Sequence, residues 1–126
     1  MANPALSVRP AAPDGETRSA PVDLVELARR TFGDTTLERE VLGMFAAQAR
    51  IHVQAILQSR DAETRRRAAH TLKGAARAIG AGELARCAER AERIAWDEPG
   101  ALAHEANRVC DYIAALLGDR AAKLCA

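Results

Sequence analysis

The sequence predicts an all-α protein, an antiparallel up-down four-helix bundle with an additional short N-terminal helix. Three observations predict it. Apolar residues recur at three- and four-residue intervals in successive segments from Val22 to Leu117. No stretch alternates apolar and polar residues with period two for long enough to make a strand. The breaks between the segments are short, which favours antiparallel neighbours.

Residues 1–20 carry Pro4, Pro10, Pro13 and Gly15 among small polar residues. Burial in such a segment cannot offset the entropy of ordering it, so a disordered tail or linker is expected there. The bundle is expected over residues 21–118 and a short C-terminal tail over 119–126. Pro21 stands near the start of the first short helix, to which Val22, Leu24, Val25, Leu27 and Ala28 give apolar surface. Gly33 ends that helix, and Asp34 or Thr35 caps the next. Leu37, Val41, Phe45, Gln48 or Ala49, His52 and Ile56 mark the second helix, which runs to about Gln58. Asp61 is the expected N-cap of a third helix ending at Gly80 to Gly82. Leu84, Cys87, Ala88, Ala91 and Ile94 form the stripe of a fourth. Pro99 and Gly100 punctuate, and Leu102, Ala106, Val109, Cys110, Ile113 and Leu117 mark a fifth.

Composition narrows the function classes. With 126 residues the chain holds one domain, and 48% apolar residues suffice for a core. Aromatics are only 3%, so that core is built of Ala, Leu, Ile and Val. A net charge of +1 lacks the basic excess of a nucleic-acid-binding domain, and bases would find few rings to stack on. Three cysteines, Cys87, Cys110 and Cys125, show no short repeating spacing and make a poor disulfide framework. Cys87 and Cys110 fall on apolar stripes and read as small buried hydrophobes. Their spacing with histidine does not suggest a zinc site. Met1 to Ala20 lacks a continuous apolar segment of signal-peptide length, and no later segment approaches the roughly 18 apolar residues of a membrane span. A reduced, cytoplasmic setting without membrane attachment is expected.

The third helix carries the chemistry. With His70 at zero and about 100° per residue, Ala68, Leu72, Ala75, Ala76 and Ile79 fall between about 140° and 240°, the side expected to be buried. Arg66, Arg67, Lys73, Gly74 and Arg77 fall within about 60° of the histidine. His70 is therefore expected at the centre of a solvent face, ringed by cations and one glycine. His52 reads as a partly buried packing residue and His104 as a surface one. A neutral imidazole nitrogen can attack phosphorus, and Lys73, one turn along, can pair with phosphoryl oxygens as a point charge. Gly74 costs the helix about 1 kcal/mol relative to Ala. It leaves the ring without a neighbouring side chain, giving room for a bulky phosphoryl donor. Phosphoryl transfer needs mainly positioning and charge neutralisation, which one histidine and one lysine on a rigid helix can supply.

The run Ala69-His70-Thr71-Leu72-Lys73-Gly74-Ala75-Ala76-Arg77-Ala78-Ile79-Gly80-Ala81 resembles the signature of histidine-containing phosphotransfer (HPt) domains, and Leu84-Ala85-Arg86-Cys87-Ala88-Glu89 is similar to the family's next helix. The resemblance implies a four-helix bundle with an extra N-terminal helix. It implies that His70 is phosphorylated, that Lys73 supports the phosphoryl group and that Gly74 gives access. Ala75 and Ala76 stand where family members often have a serine. Some members supply a polar side chain to the imidazole from a neighbouring helix; Gln48 and polar residues of the fourth helix are candidates here. Implied partners are response-regulator receiver domains and hybrid histidine kinases, with no nucleic acid or membrane, and the chain is expected to be a monomer. No cofactor of its own is expected. Mg²⁺ and the phospho-accepting aspartate belong to the partner receiver, since no clustered carboxylates are expected on the His70 face. Arg66, Arg67 and Arg77 are candidates for contacting that partner, and the run Arg65-Arg66-Arg67 for steering it. A histidine kinase would carry an acidic residue where Thr71 stands and a separate nucleotide-binding domain. A phosphoryl carrier without kinase activity is the reading that remains, ahead of a kinase fragment or a helical adaptor.

Overall fold

A computed structural model of the protein describes residues 20–118. Of the expected tails, 1–20 and 119–126, residues 1–19 and 119–126 (with Cys125) lie outside the described residues. Five helices follow one another: α1 (Leu24–Arg30), α2 (Thr35–Gln58), α3 (Ala62–Ile79), α4 (Gly82–Ala91) and α5 (Pro99–Leu117). Among the described residues there is no strand. α3 lies between α2 and α4, α5 closes the ring against α2 and α4, and α1 rests on α3 and α2.

Local signals in the sequence set most boundaries. Asp23, Asp34 and Asp61 accept backbone hydrogen bonds from Glu26, Leu37 and Thr64 and so cap α1, α2 and α3. Gly33 (φ 75°) turns the chain out of α1, donating its N–H to Ala28 O, and Gly80 (φ 83°) ends α3. Pro99 opens α5, where its missing N–H has no cost.

Three arginines then tie the ends together. Arg30 donates to Arg77 O and Ala78 O at the end of α3, and Arg39 to Leu116 O and Leu117 O at the end of α5. Arg65 donates to Ala91 O, Arg93 O and Ile94 O beyond α4. Each brings a fixed cation to carbonyls at or just past a helix C-terminus, the negative end of the helix dipole.

The core holds Leu27, Leu42, Phe45, Ile56, Leu72, Ile79, Leu84, Leu102, Val109 and Ile113. Between α3 and α4 it narrows to Ala69, Ala76, Ala85, Ala88 and Ala91, all buried, so these two helices approach closely. That contact shifts the buried side of α3 by about 40° from the expected one, towards Lys73. Ala69 is buried, while Ala68 and Ala75 are only partly so. On α2 the buried line is Leu42, Phe45, Ala49, Val53 and Ile56, and Leu37 and Gln48 are exposed. Leu24 and Val25 of α1 are also exposed, and Val22, ahead of the helix, enters the core instead. Ile94 is 82% exposed because α4 stops at Ala91, whose carbonyl accepts from Arg65. Cys87 and Cys110 are buried free thiols whose pKa values burial raises. His52 is partly buried and His104 exposed. No helix among the described residues is long and apolar enough to cross a membrane.

Candidate functional site

His70 stands near the middle of α3 with its side chain 73% exposed. Ala69 and Leu72, fully buried beside it, fix the helix from below. The imidazole therefore rides on a rigid support while its ring is open to solvent. Nδ1 lies 3.6 Å from Glu92 Oε1, just beyond hydrogen-bonding distance. With Nδ1 turned to this carboxylate, Nε2 on the far side of the ring is the nitrogen left for an incoming group.

Lys73 is one turn along, as the spacing predicts, but its side chain does not extend into solvent. It is only 14% exposed and runs towards the end of α4, where Nζ stands 2.7 Å from Glu92 Oε2. The approach is a close ion pair. Glu92 thus faces His70 with one oxygen and Lys73 with the other. Burial pushes its carboxyl pKa up, but Lys73 and then His70 pull it down by more, and the net position is below the ordinary carboxylate range.

Gly74 is exposed, and a Cβ built on it would meet nothing within 4 Å. The surface beside the imidazole is bare backbone. Arg66 and Arg67 reach back to Glu63 at 4.0 Å and 3.5 Å, and Arg77 reaches Glu89 at 4.0 Å. The expectation of a purely cationic ring is therefore corrected, although among the described residues no group of carboxylates is placed to hold a metal ion. Glu63, Glu89 and Glu92 each stand beside one or two of the four cations. The arginine run also divides. Arg66 and Arg67 are on the surface, whereas Arg65 holds the connector after α4 and stacks over Trp96, with its guanidinium carbon 5.6 Å from the ring centroid. It is committed to structure and is not available for steering.

Glu92 falls among the polar residues of the expected fourth helix, but periodicity alone did not single it out from them. It is the C-cap residue of α4, which stops at Ala91, short of the expected stripe's last position at Ile94. A signal was present nonetheless. α3 and α4 are antiparallel about the tight Gly80–Ala81 turn, which brings Arg77 opposite Glu89 and Lys73 opposite Glu92. The polar neighbour of the imidazole comes from this end of α4, and not from Gln48 on α2.

The fold and site together define a helical bundle that presents one histidine, with a lysine and a glycine beside it, from a single helix. The family model of the Hpt domain matches residues 40–122, and the chain belongs to that family. Comparison with curated proteins and with solved structures gave no significant match. Membership implies histidine phosphotransfer in two-component signalling, with receiver and kinase proteins of a phosphorelay as partners. The match begins inside α2, so α1 lies outside it.

Proposed function

We propose that His70 accepts a phosphoryl group from the aspartyl phosphate of one receiver domain and passes it to the aspartate of another. The observation that carries this reading is the exposed imidazole with Nδ1 turned to Glu92, open backbone at Gly74 and an ammonium one turn away. In the transfer, the Nε2 lone pair forms the N–P bond. The P–O bond of the acyl phosphate breaks, and its electron pair leaves on the partner's carboxylate. The ring gains positive charge while its Nδ1 proton faces Glu92, and Lys73 is within reach to neutralise phosphoryl oxygens. The chain supplies the acceptor and its surroundings, and acts as a carrier without kinase activity. The Mg²⁺ that receivers use is expected in the partner's acidic pocket.

The surface around the histidine suits docking by such a partner. Met44 and Ile51 are exposed on the outer face of α2. The opposite flank of α2 meets α5, through Ala46 with Cys110 and Gly43 opposite Leu117, so Met44 and Ile51 lean towards α3. In this reading they supply the apolar part of the contact, and Arg66, Arg67 and Arg77 its basic rim. The protein acts as a cytoplasmic monomer in this reading.

Incubation with a receiver carrying a radiolabelled phosphoryl group tests it. The wild type is expected to take the label in acid-labile, base-stable form, and His70→Gln to remain unlabelled with an unchanged helical spectrum. Label on the variant would place the acceptor elsewhere.

A further inference from the structure

The shared carboxylate of Glu92 has a consequence for the loaded state of the carrier. At rest the Lys73 ammonium and the Glu92 carboxylate balance each other. Lys73 is held by that carboxylate at 2.7 Å and is largely shielded from water. A phosphoryl group on Nε2 adds close to two negative charges. To neutralise it, Lys73 must leave Glu92, whose Oε2 is a buried atom with no other hydrogen-bond partner.

Resting on the proposed role of His70, we propose that Glu92 competes with the phosphoryl group for Lys73 and thereby sets how firmly the carrier retains its cargo. Three effects follow from the carboxylate in the loaded protein. It draws Lys73 away from the phosphoryl oxygens, it repels the phosphoryl charge directly, and it attracts the positively charged ring at Nδ1. The first two weaken retention and the third strengthens it. The lysine contact is shorter than the imidazole contact by about an ångström, and its cation is shielded where the imidazole is open to water. Charge pairs weaken with distance and with solvent screening, so the lysine competition prevails. Glu92 tilts the relay towards release.

The test is the equilibrium of phosphoryl groups between a receiver and the full chain, read for wild type, Glu92→Gln, Lys73→Ala and the double variant. Glu92→Gln is nearly isosteric and lies at a helix end, so the bundle stays folded. It is expected to shift the equilibrium constant towards phosphohistidine roughly three- to fivefold, the size of a partly exposed ion pair. In the Lys73→Ala background the same substitution is expected to change it by less than about half as much, because the competition has lost its object. A purely structural role would give neither the sign nor the coupling. Unchanged or reduced retention in Glu92→Gln, or an equal gain without Lys73, overturns the proposal. A wild type that takes no label from any receiver defeats the carrier reading itself, a result distinct from both.

Discussion

Gly80 and Asp23 share a contact that leaves no room for a side chain. The Asp23 amide donates to Gly80 O at 2.9 Å, and a Cβ on Gly80 would stand 2.9 Å from Asp23 O. The glycine also holds a left-handed φ of 83°. Gly80→Ala therefore meets two penalties, roughly 1 kcal/mol of backbone strain and the displacement of the segment that leads into α1. A loss of about 2 kcal/mol or more is expected in urea unfolding. Wild-type stability in this variant would show that the α1 entry yields at no cost.

Gly74 is the opposite case, a helical glycine with open space around it. Nothing in the fold requires it, so Gly74→Ala is expected to raise stability by up to about 1 kcal/mol. Gly74→Gln is expected to keep most of that gain and to slow phosphoryl acceptance by obstructing the approach to His70. Unfolding and single-turnover transfer on the same samples separate the two effects. A Gln variant that transfers at the wild-type rate would refute the steric role of this glycine.

The contrast between these glycines shows which parts of the molecule were legible beforehand. Helix α3 could be read because its information is local: Asp61 begins it, Gly80 ends it, and its polar and apolar sides separate on the wheel. The exposure of His70 followed from that. Glu92 could not be read in the same way, since its partnership depends on the register between two helices and on where α4 stops. Ile94 fell on the apolar spacing of α4, but the helix ends before reaching it. Arg65 looked like its neighbours Arg66 and Arg67 in the sequence, yet its place on the wheel turns it towards α4, and only the packed structure shows the carbonyls waiting there.

That division among adjacent arginines has a measurable form. Arg65 donates to three backbone carbonyls at and past the end of α4 and covers Trp96, so Arg65→Ala leaves the partly buried Ala91 O unmet and removes packing. A loss of about 1–3 kcal/mol is expected. The Arg67 side chain is 78% exposed and pairs with Glu63 at 3.5 Å, and its replacement by alanine should alter stability by no more than about 0.5 kcal/mol. Denaturation midpoints of the two variants side by side decide the matter. Equal losses would mean that the Arg65 contacts add nothing to the fold.

Two carboxylates should make the fold sensitive to acid. Asp61 lies below its ordinary pKa chiefly because the Thr64 amide, and then the Thr64 hydroxyl, donate to it. In Glu92, burial acts upward but is outweighed by Lys73 and His70. A carboxyl with a depressed folded-state pKa binds fewer protons when folded than when unfolded across the interval between its two values. Its stabilising contribution is thus complete above the ordinary carboxylate range and is lost as the pH falls through the folded value. Urea midpoints are expected to fall between about pH 5 and about pH 3. Glu92→Gln should flatten part of that slope by removing a titrating group, and Asp61→Asn should flatten another part while keeping a side chain able to cap α3. Because the two groups stand on separate elements, the double variant should lose the sum of the two slopes. A slope identical to wild type in Glu92→Gln would mean that Lys73 does not hold this carboxylate charged in the folded protein, and the resting ion pair at the centre of the site would have to be abandoned.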